Sequence, residues 1–379
     1  MRTLTRGFLP VEDPLIHLPP AFAEWQAVAG ELSKLAITRH IRPAIEQLPS
    51  FPAEQLATAP QQERALSMLS YMGNLYVFAP NQPVATRLPA NLARAWVAVA
   101  DQLQRPPILT YASQVMYNWR RIDPNGPVAV DNLTLIQNFL GGMDEEWFAT
   151  IHINIEAEAS RGLQALQPAQ AAVLRDDPQC LEQCLSEVAA TLQTMHDILL
   201  RMTERCDPYI YYHRVRPYMF GWYGNPLLPE GMIYEGVERY GERPQQLRGE
   251  TGAQSSVIYA FDALLGIEHE FDEMRAYLLD MRNYMPSQDR AVIETVEQGP
   301  SVRNYVLSHS TSHPSLRNLY NHCIEKLHQF RKLHIEYAAL YIIKPAQGAG
   351  QGDVGTGGTP FTVYLKKHIK ATAEHVVAK

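Results

Sequence analysis

The chain has 379 residues, of which 46% are hydrophobic and 19% are charged, and its formal net charge at pH 7 is -7. This length and composition are typical of a globular protein with a large core and room for two domains. The acidic balance, without clusters of Lys and Arg among aromatic residues, excludes nucleic acid as an expected partner.

The N-terminal sequence MRTLTRGFLPVEDP becomes acidic and contains proline before an apolar stretch of signal-peptide length develops. No later run approaches the roughly 18 apolar residues of a membrane-spanning helix. We therefore expect a cytoplasmic protein with no membrane partner. The cysteines are too few and too scattered for a disulfide framework, so we predict free thiols at Cys180, Cys184, Cys206 and Cys323.

Most of the chain carries apolar residues at spacings of three and four, and few segments resemble strands. This periodicity predicts an all-α fold with helices at 62–79, 92–103, 147–160, 181–206 and 316–343. The sequence DPNGP at 123–127 is typical of a turn. We place a domain boundary near residue 133, which gives a small N-terminal domain (1–133) and a large helical domain (134–379).

The predicted helix 147–160 carries a histidine on its apolar face, because Phe148, His152, Ile155 and Ala159 follow helical spacing. One interpretation is a core histidine whose ring is hydrogen-bonded. The other is a histidine that faces a bound cofactor.

The segment 207–226 places Arg214 and Arg216 among several aromatic residues. Such a segment is typical of core packing, where an arginine stacks on a ring or pairs with a carboxylate. It also fits a site that holds a carboxylate ligand with a flat ring, such as an aromatic amino acid.

The predicted helix 316–343 has His334 at a position where its apolar stripe calls for a leucine. His322 and His328 lie at other angles around this helix, so His334 would be a solitary protein ligand. It is either a satisfied core histidine or the single imidazole that a haem iron accepts from a protein.

The glycine-rich segment 344–360 follows this helix. It lacks the GK[ST] ending of a phosphate-binding loop and does not follow a strand. It is therefore either a flexible surface loop or a mobile lid whose glycines allow close approach to a ligand.

Several of these stretches occur in an order that resembles the indoleamine 2,3-dioxygenase family, haem enzymes that open the indole ring of tryptophan. The resemblance covers roughly residues 100–379 well and the N-terminal part loosely. The stretches that carry it are PPILTYASQVMYNWRRIDPNGP (106–127), RVRPYMFGWYGNP (214–226), GETGAQSSVIYAFDALLG (249–266), MRNYMPSQDR (281–290), PSVRNYVLS (300–308), RKLHIEYAALYI (331–342) and GTGGT (355–359).

The resemblance implies one haem b per chain with His334 as its proximal iron ligand. Asp262 matches the acid behind that ligand, and Arg331, one helical turn before His334, is placed to pair with Asp262. The small residues expected to pass the distal edge of the haem are Thr251, Gly252 and Ala253.

The resemblance also implies the substrate site, in which Arg216 receives a carboxylate and Thr356 belongs to the closing loop. Tyr111 and Phe148 match aromatic residues of the indole pocket, and Tyr211 stands where the family usually has phenylalanine. His152 stands where the animal members have serine, and it resembles the distal histidine of the related tryptophan 2,3-dioxygenases. It is expected to accept a hydrogen bond from the indole N–H.

The implied reaction is cleavage of the indole C2–C3 bond of L-tryptophan, or of a related indoleamine, with O2 as co-substrate to give N-formylkynurenine. The alternatives are a haem enzyme that acts on another tryptophan derivative, a haem-binding or sensing protein without turnover, and a helical interaction protein without a cofactor. No feature of the sequence specifies an oligomeric state.

Overall fold

The computed structural model describes residues 3–268, 273–348, 355–357 and 361–378. Helices dominate this part of the chain, which confirms the predicted all-α class. The helices are α1 (Ala23–Gly30), α2 (Leu32–Ile37), α3 (Ile41–Glu46), α4 (Ala59–Val77), α5 (Ala90–Gln102), α6 (Met143–Glu158), α7 (Ser160–Gln164), α8 (Leu166–Leu174), α9 (Pro178–Leu200), α10 (Met202–Arg205), α11 (Pro208–Ile210), α12 (Ser256–Leu265), α13 (Glu273–Arg282), α14 (Ser287–Gln298), α15 (Val302–His309), α16 (Pro314–Ala338), α17 (Lys344–Gly348) and α18 (Phe361–Ala373). None of these described helices combines the length and hydrophobicity needed to cross a bilayer.

Strands are short and few within the described residues. They are β1 (Thr5–Phe8), β2 (Arg87–Leu88), β3 (Trp119–Arg121), β4 (Leu133–Leu135) and β5 (Ile233–Tyr234). β2 pairs in parallel with β5, and β3 pairs with β4 as an antiparallel hairpin with Trp119 opposite Leu135. The part of the chain that the structure describes also contains three π-helical turns, Ala112–Met116, Tyr211–Val215 and Ala339–Ile343.

The longest helices, α9 and α16, pack against one another, and α6, α7 and α8 pack on α9. Local sequence fixes where they start: Asp177 caps α9 by accepting a hydrogen bond from the Cys180 amide at 2.9 Å, and Pro314 occupies the first turn of α16. The α16 stripe is buried as its spacing predicts, with Leu316, Tyr320 and Leu327 fully enclosed.

The segment predicted as one helix over 181–206 is two helices, α9 and α10, which meet at Arg201. The Arg201 carbonyl accepts a hydrogen bond from the indole N–H of Trp147 at 2.8 Å. A carbonyl turned toward a side chain of another helix is no longer aligned with the helix axis, so the helix breaks there.

The glycine-rich segment predicted to start as a loop at residue 344 starts as the short helix α17. Its first residues, Lys, Ala and Gln around one proline, favour a helix once a preceding turn has set its direction. Of the remaining part of the predicted lid, residues 349–354 and 358–360 lie outside the described residues.

The hairpin of β3 and β4 crosses the boundary predicted near residue 133, and the buried hydrophobic residues form one cluster from Phe8 to Val377. The division into 1–133 and 134–379 stays a prediction. The four cysteines are free, as expected from the sequence.

Candidate active site

A cavity of about 770 Å³ opens where α6, α12 and α16 approach one another. Its walls contain His152 from α6, Asp262 from α12, and Arg331 and His334 from α16. The apolar part of the lining comprises Ile155, Met195, Leu199, Val257, Ile258, Leu278 and Phe330. The volume lies within the range of about 300 to 1,000 Å³ that is typical of ligand and cofactor sites.

His334 faces this cavity from α16, together with Phe330 and Arg331. The His334 side chain is accessible because it borders the cavity, and protein atoms from several segments line that cavity. Burial, with smaller contributions from the neighbouring His152 and Arg331, lowers the pKa of His334 to about 4. The imidazole is therefore neutral at pH 7, and a neutral imidazole has the nitrogen lone pair that a metal ion requires.

A buried ion pair lies beside His334. Arg331, one turn earlier on α16, donates from Nη2 to Oδ2 of Asp262 at 2.5 Å, and its Nη1 donates to the hydroxyl of Thr372 on α18. Both charged side chains are largely buried. The sequence predicted the pairing of Arg331 with Asp262 but not the contact with Thr372, which lies 41 residues further along the chain.

His152 faces the same cavity from α6 with a defined tautomer. Its Nδ1 lies 2.7 Å from the Phe148 carbonyl, one turn earlier on α6. Because a carbonyl can only accept, Nδ1 carries the proton, and Nε2 of the neutral ring is an acceptor. Burial lowers the pKa of His152, and the bond to Phe148 opposes this effect. His152 is therefore a neutral hydrogen-bond acceptor at the cavity wall.

Aromatic rings surround His152 and continue beyond it. The His152 ring lies 4.6 Å from Phe148 and 6.2 Å from Tyr111, and Phe148 lies 4.7 Å from Tyr211. Tyr211 in turn makes an edge contact with Tyr341 at 5.6 Å. These rings form a wall suited to a flat aromatic ligand.

Arg216 is 4% exposed and lies within electrostatic range of Tyr211, a ring of this wall. Its guanidinium lies over the rings of Tyr212 and Phe220, at 5.3 and 4.6 Å from their centroids. Asn74 of α4 fixes the segment by donating to the carbonyls of Tyr218 and Phe220 at 2.8 and 3.2 Å. A buried cation held in this way is suited to bind a carboxylate.

A close crossing of two backbones positions the small-residue stretch. A Cβ atom on Gly221 would lie 2.1 Å from the amide nitrogen of Gly249, so a side chain at Gly221 is excluded. Next to this crossing, the Glu250 amide donates to the Met219 carbonyl at 3.2 Å. The hydroxyl of Thr356 donates to the Glu250 carbonyl, and the Thr356 carbonyl accepts from the Gly221 amide at 3.2 Å. The glycine-rich segment is thereby joined to the site.

The predicted site residues divide into two groups in the structure. Those that line the cavity are Tyr111, His152, Gly252, Ala253, Asp262, Arg331 and His334. The others do not line it; they are Phe148, Tyr211, Arg216, Thr251 and Thr356. Thr251 caps the 3-10 turn Gly252–Gln254 through its hydroxyl.

Sequence reasoning missed two buried acids near the site. Glu156, one turn after His152, accepts from the Ser255 hydroxyl at 2.6 Å. Glu250 is 3% exposed and lies inside the small-residue stretch. The sequence does show Glu250 as an acid between Gly249 and Thr251, next to the residues expected to pass the haem edge.

An all-helical fold with a neutral, cavity-facing imidazole and a buried arginine near aromatic rings has the side chains that a cofactor and an anionic aromatic ligand would need. The particular family is given by comparison with known proteins. A model of the indoleamine 2,3-dioxygenase family matches residues 3–375, and the chain belongs to this family.

Individual relatives agree with this assignment. Indoleamine 2,3-dioxygenase 1 of Rattus norvegicus is 34% identical over 93% of this chain and 89% of its own length. Indoleamine 2,3-dioxygenase 2 of Homo sapiens is 34% identical over 98% of this chain and 93% of its own length. A 6-hydroxytryptophan 2,3-dioxygenase of Fusarium equiseti is 31% identical over 94% of this chain and 88% of its own length. Family membership makes the chain a haem-dependent dioxygenase that acts on an indoleamine or a tryptophan derivative.

The cavity fits haem by the chemistry of its lining. A neutral imidazole is available in His334, and apolar side chains suit a porphyrin face. At Gly252 a Cβ atom would meet nothing within 4 Å, so the wall there leaves open space. Arg275, Arg282 and Arg303 also line the cavity and supply cations of the kind that propionate groups need.

Proposed function

We propose that the protein cleaves the C2–C3 bond of L-tryptophan with O2 to give N-formylkynurenine, using one haem b per chain. The observation that carries the proposal is that His334 and His152, both neutral, line one cavity, and that aromatic rings run from His152 through Phe148 to Tyr211, which is within electrostatic range of Arg216. The predicted location in the cytoplasm belongs to the same proposal.

The haem would be held by His334, and it would supply the redox chemistry that inserts both oxygen atoms into the indole. The Asp262–Arg331 pair would orient the proximal side through the turn of α16 that precedes His334. The carboxylate of Asp262 next to this ligand would increase electron donation from the imidazole.

The protein's own task is to fix the substrate. Arg216 would receive the α-carboxylate as a charge-assisted pair, and Phe148, Tyr111 and Tyr211 would confine the indole ring. His152 Nε2 would accept the indole N–H. Orientation of a well-aligned pair is worth on the order of 7 to 11 kcal/mol. Thr356, bonded to the Glu250 carbonyl, would close the amino-acid end and exclude water.

The product of the reaction tests this proposal. The purified holoenzyme, reduced without oxygen and then given ¹⁸O2 and L-tryptophan, should form N-formylkynurenine that carries two ¹⁸O atoms, as measured by mass spectrometry. The same assay with 6-hydroxytryptophan and tryptamine compares other substrates. If one of these compounds is converted and L-tryptophan is not, that compound is the substrate instead. If no indole compound is converted, the dioxygenase role is refuted.

His152→Ala should lower kcat/KM for L-tryptophan about tenfold, because one hydrogen bond to a desolvated group is worth about 1 to 3 kcal/mol. Haem content should be unchanged. The preference for L-tryptophan over 1-methyl-L-tryptophan should narrow, since the methylated ring has no N–H to donate. His17→Ala, an exposed histidine outside the site, is the control. Unchanged kinetics and unchanged selectivity in His152→Ala would contradict this role.

A further inference from the structure

Thr372 is a fully buried residue of α18, and its hydroxyl both accepts and donates a hydrogen bond. The oxygen accepts from Nη1 of Arg331, and the hydroxyl donates to the His368 carbonyl at 2.7 Å, one turn earlier on α18. Because the proton already has an acceptor, the lone pairs of the oxygen remain for the guanidinium. Thr372 is therefore an acceptor for Arg331 whose orientation is set by its own helix.

The end of α18 that carries Thr372 is tied to two other helices. The Asn321 side chain of α16 donates to the Val377 carbonyl and accepts from the Val377 amide, each at 2.9 Å. Arg303 of α15 donates to the carbonyl of His375. α18 also packs along α16. Several contacts besides the bond to Arg331 therefore fix the position of the Thr372 hydroxyl.

Arg331 joins α18 to α12 at the wall of the cavity. Its Nη2 bonds to Oδ2 of Asp262 at 2.5 Å, whereas its Nη1 bonds to Thr372. The two terminal nitrogens of the guanidinium thus serve acceptors on two different helices. In the bidentate pairs that arginine readily forms, both nitrogens serve the carboxylate. Without the hydroxyl, Nη1 would be a buried donor that has lost its acceptor, and it would turn toward Asp262.

The placement of this guanidinium matters because Arg331 precedes His334 by one turn of α16. Arg331, His334 and Asp262 all line the cavity. The charge of Arg331 reaches the imidazole, since it contributes, after burial and His152, to the lowered pKa of His334. A guanidinium that paired more fully with Asp262 would neutralise more of the carboxylate charge. The imidazole would then donate less electron density to a bound iron, which favours the ferrous over the ferric state.

We propose that Thr372 is a positioning residue that keeps Arg331 shared between two helices and thereby sets the reduction potential of haem bound at His334. This inference rests on the proposed function, in which His334 holds the haem. Thr372 does not itself line the cavity, so it acts through Arg331.

The reduction potential of the holoenzyme, measured by spectroelectrochemistry without substrate, tests the role of the hydroxyl. Thr372→Val exchanges the hydroxyl for a methyl group of similar size. At a fixed solution potential it should raise the ratio of ferrous to ferric haem by up to about tenfold, which corresponds to about 59 mV for one electron. The iron–imidazole stretching band of the ferrous protein, recorded by resonance Raman spectroscopy, should move to lower frequency. Haem content should be unchanged.

Two variants control for the change of side chain. Thr372→Ser keeps the hydroxyl and should give the wild-type potential and Raman band. Thr295→Val on α14 is the matched control, because exposed Thr295 donates in the same way to the Ala291 carbonyl, at 2.7 Å. It should leave the potential unchanged. If Thr372→Val does not fold, Thr372→Ala, which removes the hydroxyl without adding a methyl group, carries the same prediction.

Arg331→Gln separates an effect through the arginine from a direct effect of the hydroxyl. In that background Thr372→Val should add no further shift in potential. An unchanged potential and Raman band in Thr372→Val would overturn the inference, as would an equal shift in Thr372→Ser. The same shift with and without Arg331 would also overturn it. Wild-type protein that takes up no haem would overturn the proposed function instead.

Discussion

His334→Ala is expected to remove haem from the protein and abolish indole cleavage while the helical fold persists. His334 of α16 places a neutral imidazole in the cavity. Loss of this ring leaves the iron without its protein ligand. The ring contributes little to packing, because it faces the cavity rather than the core. Haem content from the absorption spectrum, with circular dichroism for the fold, measures both effects.

The control for this variant lies on the same helix. His322→Ala removes an exposed histidine of α16 and should leave haem content and activity unchanged. Exogenous imidazole should restore part of the haem binding in His334→Ala, since it can occupy the space left by the ring. Normal pigment content in His334→Ala would show that another residue holds the iron.

Arg216→Gln should reduce kcat/KM for L-tryptophan by roughly 30-fold to 1,000-fold. Loss of one partner from a buried, charge-assisted pair costs about 2 to 4 kcal/mol. Tryptamine has the same indole and ammonium but no carboxylate, so its kcat/KM should change by less than about threefold. Steady-state kinetics with both substrates therefore separates a carboxylate contact from a general disturbance of the pocket.

A neighbouring arginine supplies the control for Arg216. Arg214→Gln removes an exposed guanidinium two residues earlier and should leave both substrates unaffected. An equal loss with L-tryptophan and tryptamine in Arg216→Gln would mean that Arg216 supports the aromatic segment through its stacking on Tyr212 and Phe220. It would exclude Arg216 as the carboxylate partner.

The sequence by itself determined the helices and the family. Spacings of three and four predict α4, α5, α9 and α16 because helical periodicity is local, and a buried stripe leaves its mark within a few turns. His334 was conspicuous for the same reason, as a histidine in an otherwise apolar stripe. The ordered motifs identified the family, which the match over residues 3–375 confirms.

Tertiary structure alone decided which distant groups meet. Asp262 and Arg331 are 69 residues apart and pair only because α12 and α16 face one cavity. The break at Arg201 depends on Trp147 from another helix. The periodicity of a helix predicts which of its faces is buried, but not which side chains of other segments pack against that face. Contacts between distant segments, and the pKa shifts that follow from burial, therefore required the packed chain.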